Sequence, residues 1–391
     1  NVINTWGMTG NESGDLAVTV DLTTSYVNEF DHIQVFTGAG NDTMSFENFV
    51  AGTVKVTLGS TGSTGVKSFI GKDGVDAEIV KANGTNIWTI TGTNKGDVNG
   101  IEFSKFNTLT GGTGKDTFDF SAASSVITGI VDGGGLAEAN EIIARKNVTN
   151  TWLMDNNNSG SLEQAGVIPG TYITQFTDIQ IFTGAGTDTI SYANVGTGTV
   201  DVTLGAAGVT GVTNFVGSAL VNSTLVGENK NNDWAIEGVN SGRINAGTTD
   251  EVTFSNFNYL TGGNQRDTFI FFDAGSITGG SGGAGNDIVD LSNLTTDQSI
   301  TFSGTTVKGI TSIHRVIGST SQNHTLQVAA GTNTWRIFDV DNNAASTVIS
   351  YGVNDGHISD GTDTLQFVNF NKLQGGTGVD TFYIETNFTG V

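Results

Sequence analysis

The chain of 391 residues contains no Cys and a single Pro, Pro169. Without thiols the fold cannot rest on disulfides or thiolate zinc sites, and no cysteine nucleophile is available. Charge is also scarce, at 14% of residues against roughly 25% in ordinary globular domains. The charge that exists has one sign, 39 acidic residues against 16 basic, for a net charge of −23. Such a surface repels phosphate backbones and anionic headgroups, which argues against nucleic-acid and membrane-surface partners and favours divalent cations. No apolar run approaches the ~18 residues of a membrane-spanning helix, and no charged-then-apolar leader is seen. Asn1 falls inside a motif that recurs later, so the sequence reads as a piece of something longer.

What the chain has in excess is Gly, 56 residues or about twice the usual share, together with enough apolar (36%) and aromatic (9%) residues to fill a core. The Gly shows no three-residue period, so collagen is excluded. Internal repetition is the main signal. All five Trp lie in one motif, Asn-x-Trp, at Trp6, Trp88, Trp152, Trp234 and Trp335. Trp6 to Trp152 and Trp88 to Trp234 are both 146 residues apart, so two long units lie in tandem and a shortened third follows. After each Trp comes an aromatic-led segment such as Phe106-Asn107-Thr108-Leu109, a Gly-rich turn, and then Asp-Thr-apolar, as in Asp116-Thr117-Phe118 and Asp267-Thr268-Phe269.

Segments of five to eight residues alternate apolar with polar, are rich in Val, Ile, Thr and Phe, and are bounded by Gly, Asn and Asp, which is the signature of strands and turns. Leu136 to Lys146 alone looks helix-like, yet it aligns with the strand-turn region Gly283 to Asp290. A sandwich, a propeller and a solenoid all suit many short strands. Shortening of a unit without loss of phase favours the solenoid. The expectation is an all-β, elongated parallel β-solenoid (β-helix) of stacked short strands with internal repeats of about 146 residues, its units spanning 1–146, 147–285 and 286–391 in one continuous rod. An incomplete repeat at either end would leave a strand edge for flanking coils, a cap or another copy to cover.

Each Trp shares a strand face with an apolar residue two positions on, as in Trp88 and Ile90, so the indoles are expected inside rather than on a sugar-stacking surface. The Asn two positions earlier shares that face and reads as a turn or ladder residue stacked on its own copies. The turns have a sharper alternative. Gly111 to Asp119, Gly282 to Asp290 and Gly375 to Tyr383 follow Gly-Gly-x-Gly-x-Asp-x-apolar-x. That pattern resembles the calcium-binding nonapeptide of the RTX proteins, which implies Ca2+ held by Asp and carbonyl oxygens. The candidate metal residues are Asp116, Asp267, Asp287 and Asp380, with Asp250 and Asp363 each 17 positions before a turn Asp. The nonapeptides are not in tandem, and only Asp267 and Asp287, 20 residues apart, could sit on adjacent coils. The alternative is that each Asp caps its own turn.

Taken whole, Asn-x-Trp-x-Ile followed by Phe-x-x-Leu-x-Gly-Gly-x-Gly-x-Asp-Thr-Phe resembles the β-strand repeats of giant secreted bacterial exoproteins and adhesins, filamentous-haemagglutinin-like and RTX-like. The resemblance implies an extracellular cell-surface stalk or matrix fibre that attaches cells to each other, to a surface or to exopolysaccharide, self-associating or joined to flanking repeats. A calcium-stiffened polysaccharide-binding module is the alternative, and a β-helix polysaccharide lyase or epimerase the third. Catalysis is not expected. The acids recur with the repeat, whereas an active site breaks it. Carboxylates three apart, as at Asp116 and Asp119, face opposite sides of a strand. His32, His314, His324 and His357 form no ligand-spaced pair and read as solvated or turn residues. Departures from the repeat at Asp339 to Thr362, Glu163 to Tyr172 and Arg145-Lys146 read as loops bulging from a coil.

Overall fold

The computed structural model describes residues 2–9, 14–20, 23–30, 36–50, 52–58, 63–81, 83–135, 139–205, 208–328, 330–338 and 354–384. It is all-β, with 57% of residues in strands and no helix among the described residues. The chain forms two compact units, residues 1–194 with 207–212 and residues 195–206 with 213–391. The sequence boundaries at 146 and 285 mark periods and lie inside these units.

In the first unit, Val54–Leu58, Ala77–Lys81, Thr108–Thr110, Ile127–Asp132 and Thr171–Thr177 pair in parallel in that order. A second parallel run joins Asn86–Gly92, Asp116–Asp119, Glu141–Ile143 and Ile181–Ser191. The second unit repeats both. Val200–Thr203, Ser223–Val226, Tyr259–Gly263, Gly279–Gly283 and Ile310–Thr311 form one run. Asp233–Gly238, Thr268–Phe271, Asp287–Asp290, Ile313–Ile317 and Thr364–Val368 form the other. Among the described residues no sheet closes on itself. The helix-like stretch holds the strand Glu141–Ile143, which pairs on both sides as Asp287–Asp290 does.

The stacking is not parallel throughout. Each Asn-x-Trp strand opens a three-stranded antiparallel meander: Asn86–Gly92 with Lys95–Val98 and Ile101–Ser104, for example, and Asp233–Gly238 with Ser241–Ile244 and Val252–Ser255. Local chemistry accounts for the reversals. Asn99 and Gly100 both have positive φ, 49° and 82°, the pair of left-handed residues that a two-residue type I′ hairpin demands. The Glu163 to Tyr172 stretch is the turn of another such meander, between Ser159–Gln164 and Thr171–Thr177, rather than a bulging loop. Asp339 to Thr362 lies outside the described residues up to 353; beyond it, Asp355–Ser359 is the middle strand of the last meander.

The core follows the alternation. Val54–Leu58 reads buried-exposed-buried along its length, and its inward residues meet those of the next strand in register. Trp88, Trp152, Trp234 and Trp335 are fully buried. Trp88 stacks on Phe118 at 18° between ring planes, Trp234 on Phe269 at 17° and Trp335 on Phe382 at 12°. Phe103, Phe254 and Phe367, from the third strand of each meander, meet the same indoles edge-on. Each pair adds about 0.5–1.5 kcal/mol beyond its apolar burial, and the same cluster is rebuilt around Trp88, Trp234 and Trp335, whereas Trp152 meets Phe176 and Phe182 edge-on.

Candidate functional site

The chemistry-bearing residues of the repeat converge on one feature, a buried ladder of Asn and Asp beside the indoles. In the Asn-x-Trp strands the Asn points inward with Trp, as period-two geometry requires. Its amide reaches the turn Asp of the neighbouring parallel strand. Asn86 Nδ2 donates to Asp116 Oδ1 at 2.7 Å, and Asn232 donates to Asp267 Oδ1 from both its backbone N (2.9 Å) and Nδ2 (2.8 Å). Asn150 does the same to Asp188 Oδ1 at 2.8 and 3.2 Å, Asn4 to Asp42 Oδ1 at 2.9 Å from both atoms, and Asn333 Nδ2 to Asp380 Oδ1 at 2.9 Å.

A further rung follows in two places. The Asp116 N–H donates to Asn140 Oδ1 at 2.9 Å, and the Asp267 N–H to Asp287 Oδ1 at 2.7 Å. Asn140 therefore stands where Asp287 stands in the next unit. Its amide is satisfied by the carbonyls of Gly133, Gly135 and Asp178. The ladder alternates Asn, Asp and Asx; it is not a stack of Asn on its own copies. Nor does each Asp mainly cap its own turn, although the Ala185 N–H does donate to Asp188 Oδ2 at 2.9 Å.

The first glycine of the turn is dictated by the same carboxylate. A Cβ on Gly262 would lie 2.4 Å from Asp267 Oδ2 and 2.2 Å from the Gly282 carbonyl, and one on Gly282 would lie 2.4 Å from Asp287 Oδ2. Close approach alone is enough to require Gly at these positions.

Electrostatically the ladder is costly. Asp42, Asp116, Asp188, Asp267 and Asp287 are wholly buried. Desolvation pushes Asp116 and Asp287 above the ordinary carboxylate range and takes Asp267 up to about 6; the Asn232 hydrogen bonds pull Asp267 back, while the neighbouring Asp287 pushes it further up. Amide donors face the Oδ1 atoms, whereas Oδ2 of Asp42, Asp116, Asp267 and Asp287 has no hydrogen-bond partner.

Of the six candidate metal residues, the structure brings together only Asp267 and Asp287, on adjacent strands. Asp116 meets Asn86 and Asn140, and Asp380 meets Asn333. Asp250 is exposed and paired with Lys230 at 2.8 Å, and the Asp363 N–H donates to Asp360 Oδ1 within an exposed turn. Among the described residues no three Asp, Glu or His side chains gather at metal-ligand spacing. Two carboxylates with both Oδ1 atoms committed to N–H donors fall short of the six to eight oxygens that calcium takes, so the described side chains alone do not make its cage.

A second ladder was missed by reading the sequence. Asn107 Oδ1 accepts from the Ala77 N–H at 2.9 Å, and Asn258 Oδ1 from the Ser223 N–H at 2.7 Å. In the same register His324 Nδ1 accepts from the Gln298 N–H at 3.1 Å. His324 is fully buried, not solvated, because it substitutes for a ladder Asn; burial pushes its imidazole below the ordinary value. The signal was present in the shared frame Asn107-Thr108-Leu109, Asn258-Tyr259-Leu260 and His324-Thr325-Leu326. Arg145, read from the sequence as part of a bulging loop, packs its side chain inward. Its guanidinium lies 4.2 Å from the Tyr172 ring centre and donates to the Ser125 carbonyl, while Tyr172 OH donates to Asn150 Oδ1 at 2.8 Å.

A polar cleft of about 390 Å³ in the first unit is lined by Lys72, Asp73, Asp76, Asn94, Lys105 and Thr128. Lys105 is paired with Asp73 of the cleft and with Glu47 beside it, and Lys72 donates to the Phe49 carbonyl. No described helix is long and apolar enough to cross a membrane. No protein-family model matches the chain, and no curated protein matches it either.

Proposed function

We propose that this chain is a structural and adhesive segment, a rigid extracellular spacer or fibre component of solenoid type that attaches cells to one another, to a surface or to matrix polysaccharide. One observation carries the reading: the same Asn–Asp rung recurs at all five Asn-x-Trp positions, so the chain invests its chemistry in repetition rather than in one singular site. Repeats of this kind add length by regenerating their core at each step. A net charge of −23 keeps such a surface soluble and open to divalent cations.

The test pairs shape with attachment. Negative-stain images of the purified chain are expected to show a rod, and beads coated with it to adhere to acidic exopolysaccharide or to one another. A compact globule, or release of unsaturated or reducing sugars from a polysaccharide panel, would replace this reading with the enzymatic one. Adhesion that appears only with added calcium would favour the calcium-stiffened polysaccharide-binding module instead.

A further inference from the structure

We propose that His324 is an acid-opened latch: neutral, it holds Thr325–Val328 in register on Ser299–Ser303, and on taking up a proton it releases that pairing. The inference goes beyond the adhesive reading and does not rest on it. It comes from the place of an imidazole in a ladder otherwise built of amides. Asn107 and Asn258 each give a side-chain oxygen to a backbone N–H of the preceding strand, that of Ala77 or Ser223. The Asn258 amide nitrogen donates in turn to Asn222 Oδ1 at 3.3 Å. A carboxamide keeps both functions at every pH.

His324 fills a further such place, directly before Thr325–Val328, which pairs in parallel with Ser299–Ser303. Its Nδ1 accepts from the Gln298 N–H at 3.1 Å, so the neutral ring carries its proton on Nε2. Nε2 is buried and, although turned towards the Leu291 carbonyl, makes no hydrogen bond of ordinary geometry. A solvent proton added at Nδ1 converts the acceptor of the rung into a donor aimed at another donor. The Gln298 N–H then loses its partner, and a cation stands where the side chain is fully buried.

The surroundings do not rescue that cation. Asp297 faces the ring, but its Oδ1 already accepts from the Asn323 N–H at 2.8 Å. Lys308 opposes it with a like charge; it has no carboxylate partner among the described residues and holds its Nζ 5.3 Å from the Phe271 ring centre. On the other elements packed here, Phe370 presents a ring 6.4 Å away. Lys372 offers its backbone N–H to the His324 carbonyl at 3.4 Å and exposes its side chain, and Asp290, beside Leu291, accepts from the Ser292 N–H. Burial, aided by Lys308, outweighs Asp297 and holds the imidazole below its ordinary 6.5. Asp116, Asp267 and Asp287 shift the opposite way, so acid loosens this one pairing while it tightens the Asn–Asp ladder.

The test is amide hydrogen exchange of the full chain between pH 7.5 and 5, converted to opening constants by correction for the intrinsic exchange rate. Two amides report on the rung: Gln298, bonded to the imidazole, and Thr325, which donates to the Gln298 carbonyl at 2.7 Å. Below pH 6.5 their opening constants should rise by up to about tenfold per pH unit. That of Ser223, held by the Asn258 rung, should not rise. His324→Asn, which restores the amide of the other rungs, should abolish the effect. Opening that is flat with pH, that Ser223 shares, or that survives His324→Asn would overturn the proposal. Should that variant fail to fold, imidazole nitrogen NMR of the native chain decides. Protonation of His324 should coincide with the opening at Gln298, and a ring that titrates while Gln298 stays protected would overturn the latch.

Discussion

Three carboxylates of the buried ladder, Asp116, Asp267 and Asp287, contribute a pH dependence of stability opposite in direction to ordinary acid denaturation. Asp267 is held at about 6, against an ordinary 3.8, chiefly by burial. The folded state therefore takes up its proton more readily than the unfolded chain does. Between those two values the native form binds more protons, so stability rises as pH falls. The distance from 3.8 to about 6 is worth about 3 kcal/mol, fully present below about pH 4 and lost as pH rises through about 6. Asp116 and Asp287 shift the same way. His324, pushed down by burial, opposes them once pH drops below its ordinary 6.5. The informative measurement is thus a difference: urea unfolding of the native chain and of Asp267→Asn at pH 7, 6, 5 and 4. Asn keeps the acceptor for Asn232 and removes the titration. The gap between variant and native chain should shift by roughly 2 kcal/mol in favour of the native chain from pH 7 to pH 4. Parallel profiles would refute the reasoning, because they would mean that Asp267 titrates alike in both states.

Three further outcomes follow from the same geometry. Trp234→Ala removes a fully buried indole stacked on Phe269 and should cost about 3–5 kcal/mol in chemical denaturation; a loss below about 1 kcal/mol would place the ring outside the core. Gly262→Ala sets a methyl 2.4 Å from Asp267 Oδ2 and 2.2 Å from a carbonyl and should lower the melting temperature far more than Gly247→Ala, whose new methyl meets nothing within 4 Å and bears only the strain of φ 79°. With ladder carboxylates bonded to amides, EDTA should leave the melting temperature unchanged, while a rise on adding calcium would put an ion at the Asp267–Asp287 pair.

Much of this was legible in the sequence, for physical reasons. The spacing of Trp6, Trp88, Trp152 and Trp234 exposed the repeat because a stacked core needs the same large side chain at the same place in each period. Alternation in Val54–Leu58 announced a strand with one face inward. The antiparallel meanders were harder to see. Asn99-Gly100 is a strong hairpin signal, but Asn and Gly are so frequent here that one dipeptide is hidden among many turn residues. The partner of each Asp was hard to read, since Asn4 to Asp42 and Asn150 to Asp188 both span 38 residues but Asn86 to Asp116, Asn232 to Asp267 and Asn333 to Asp380 span 30, 35 and 47. Glycines in Gly-Gly-x-Gly-x-Asp suit an ion-binding turn and a carboxylate packed against backbone equally well, and the close approach of Gly262 to Asp267 becomes visible only in three dimensions.

The interchange of Asn140 and Asp287 at one structural position separates two properties that usually travel together. Both residues offer the same oxygen to the same backbone donor, yet only one can carry charge. The count of internal proton-binding groups is therefore free to drift while the backbone pairing stays fixed, and a single nucleotide change can add or delete an internal titration step. Acid tolerance and architecture can evolve on separate schedules in such a protein.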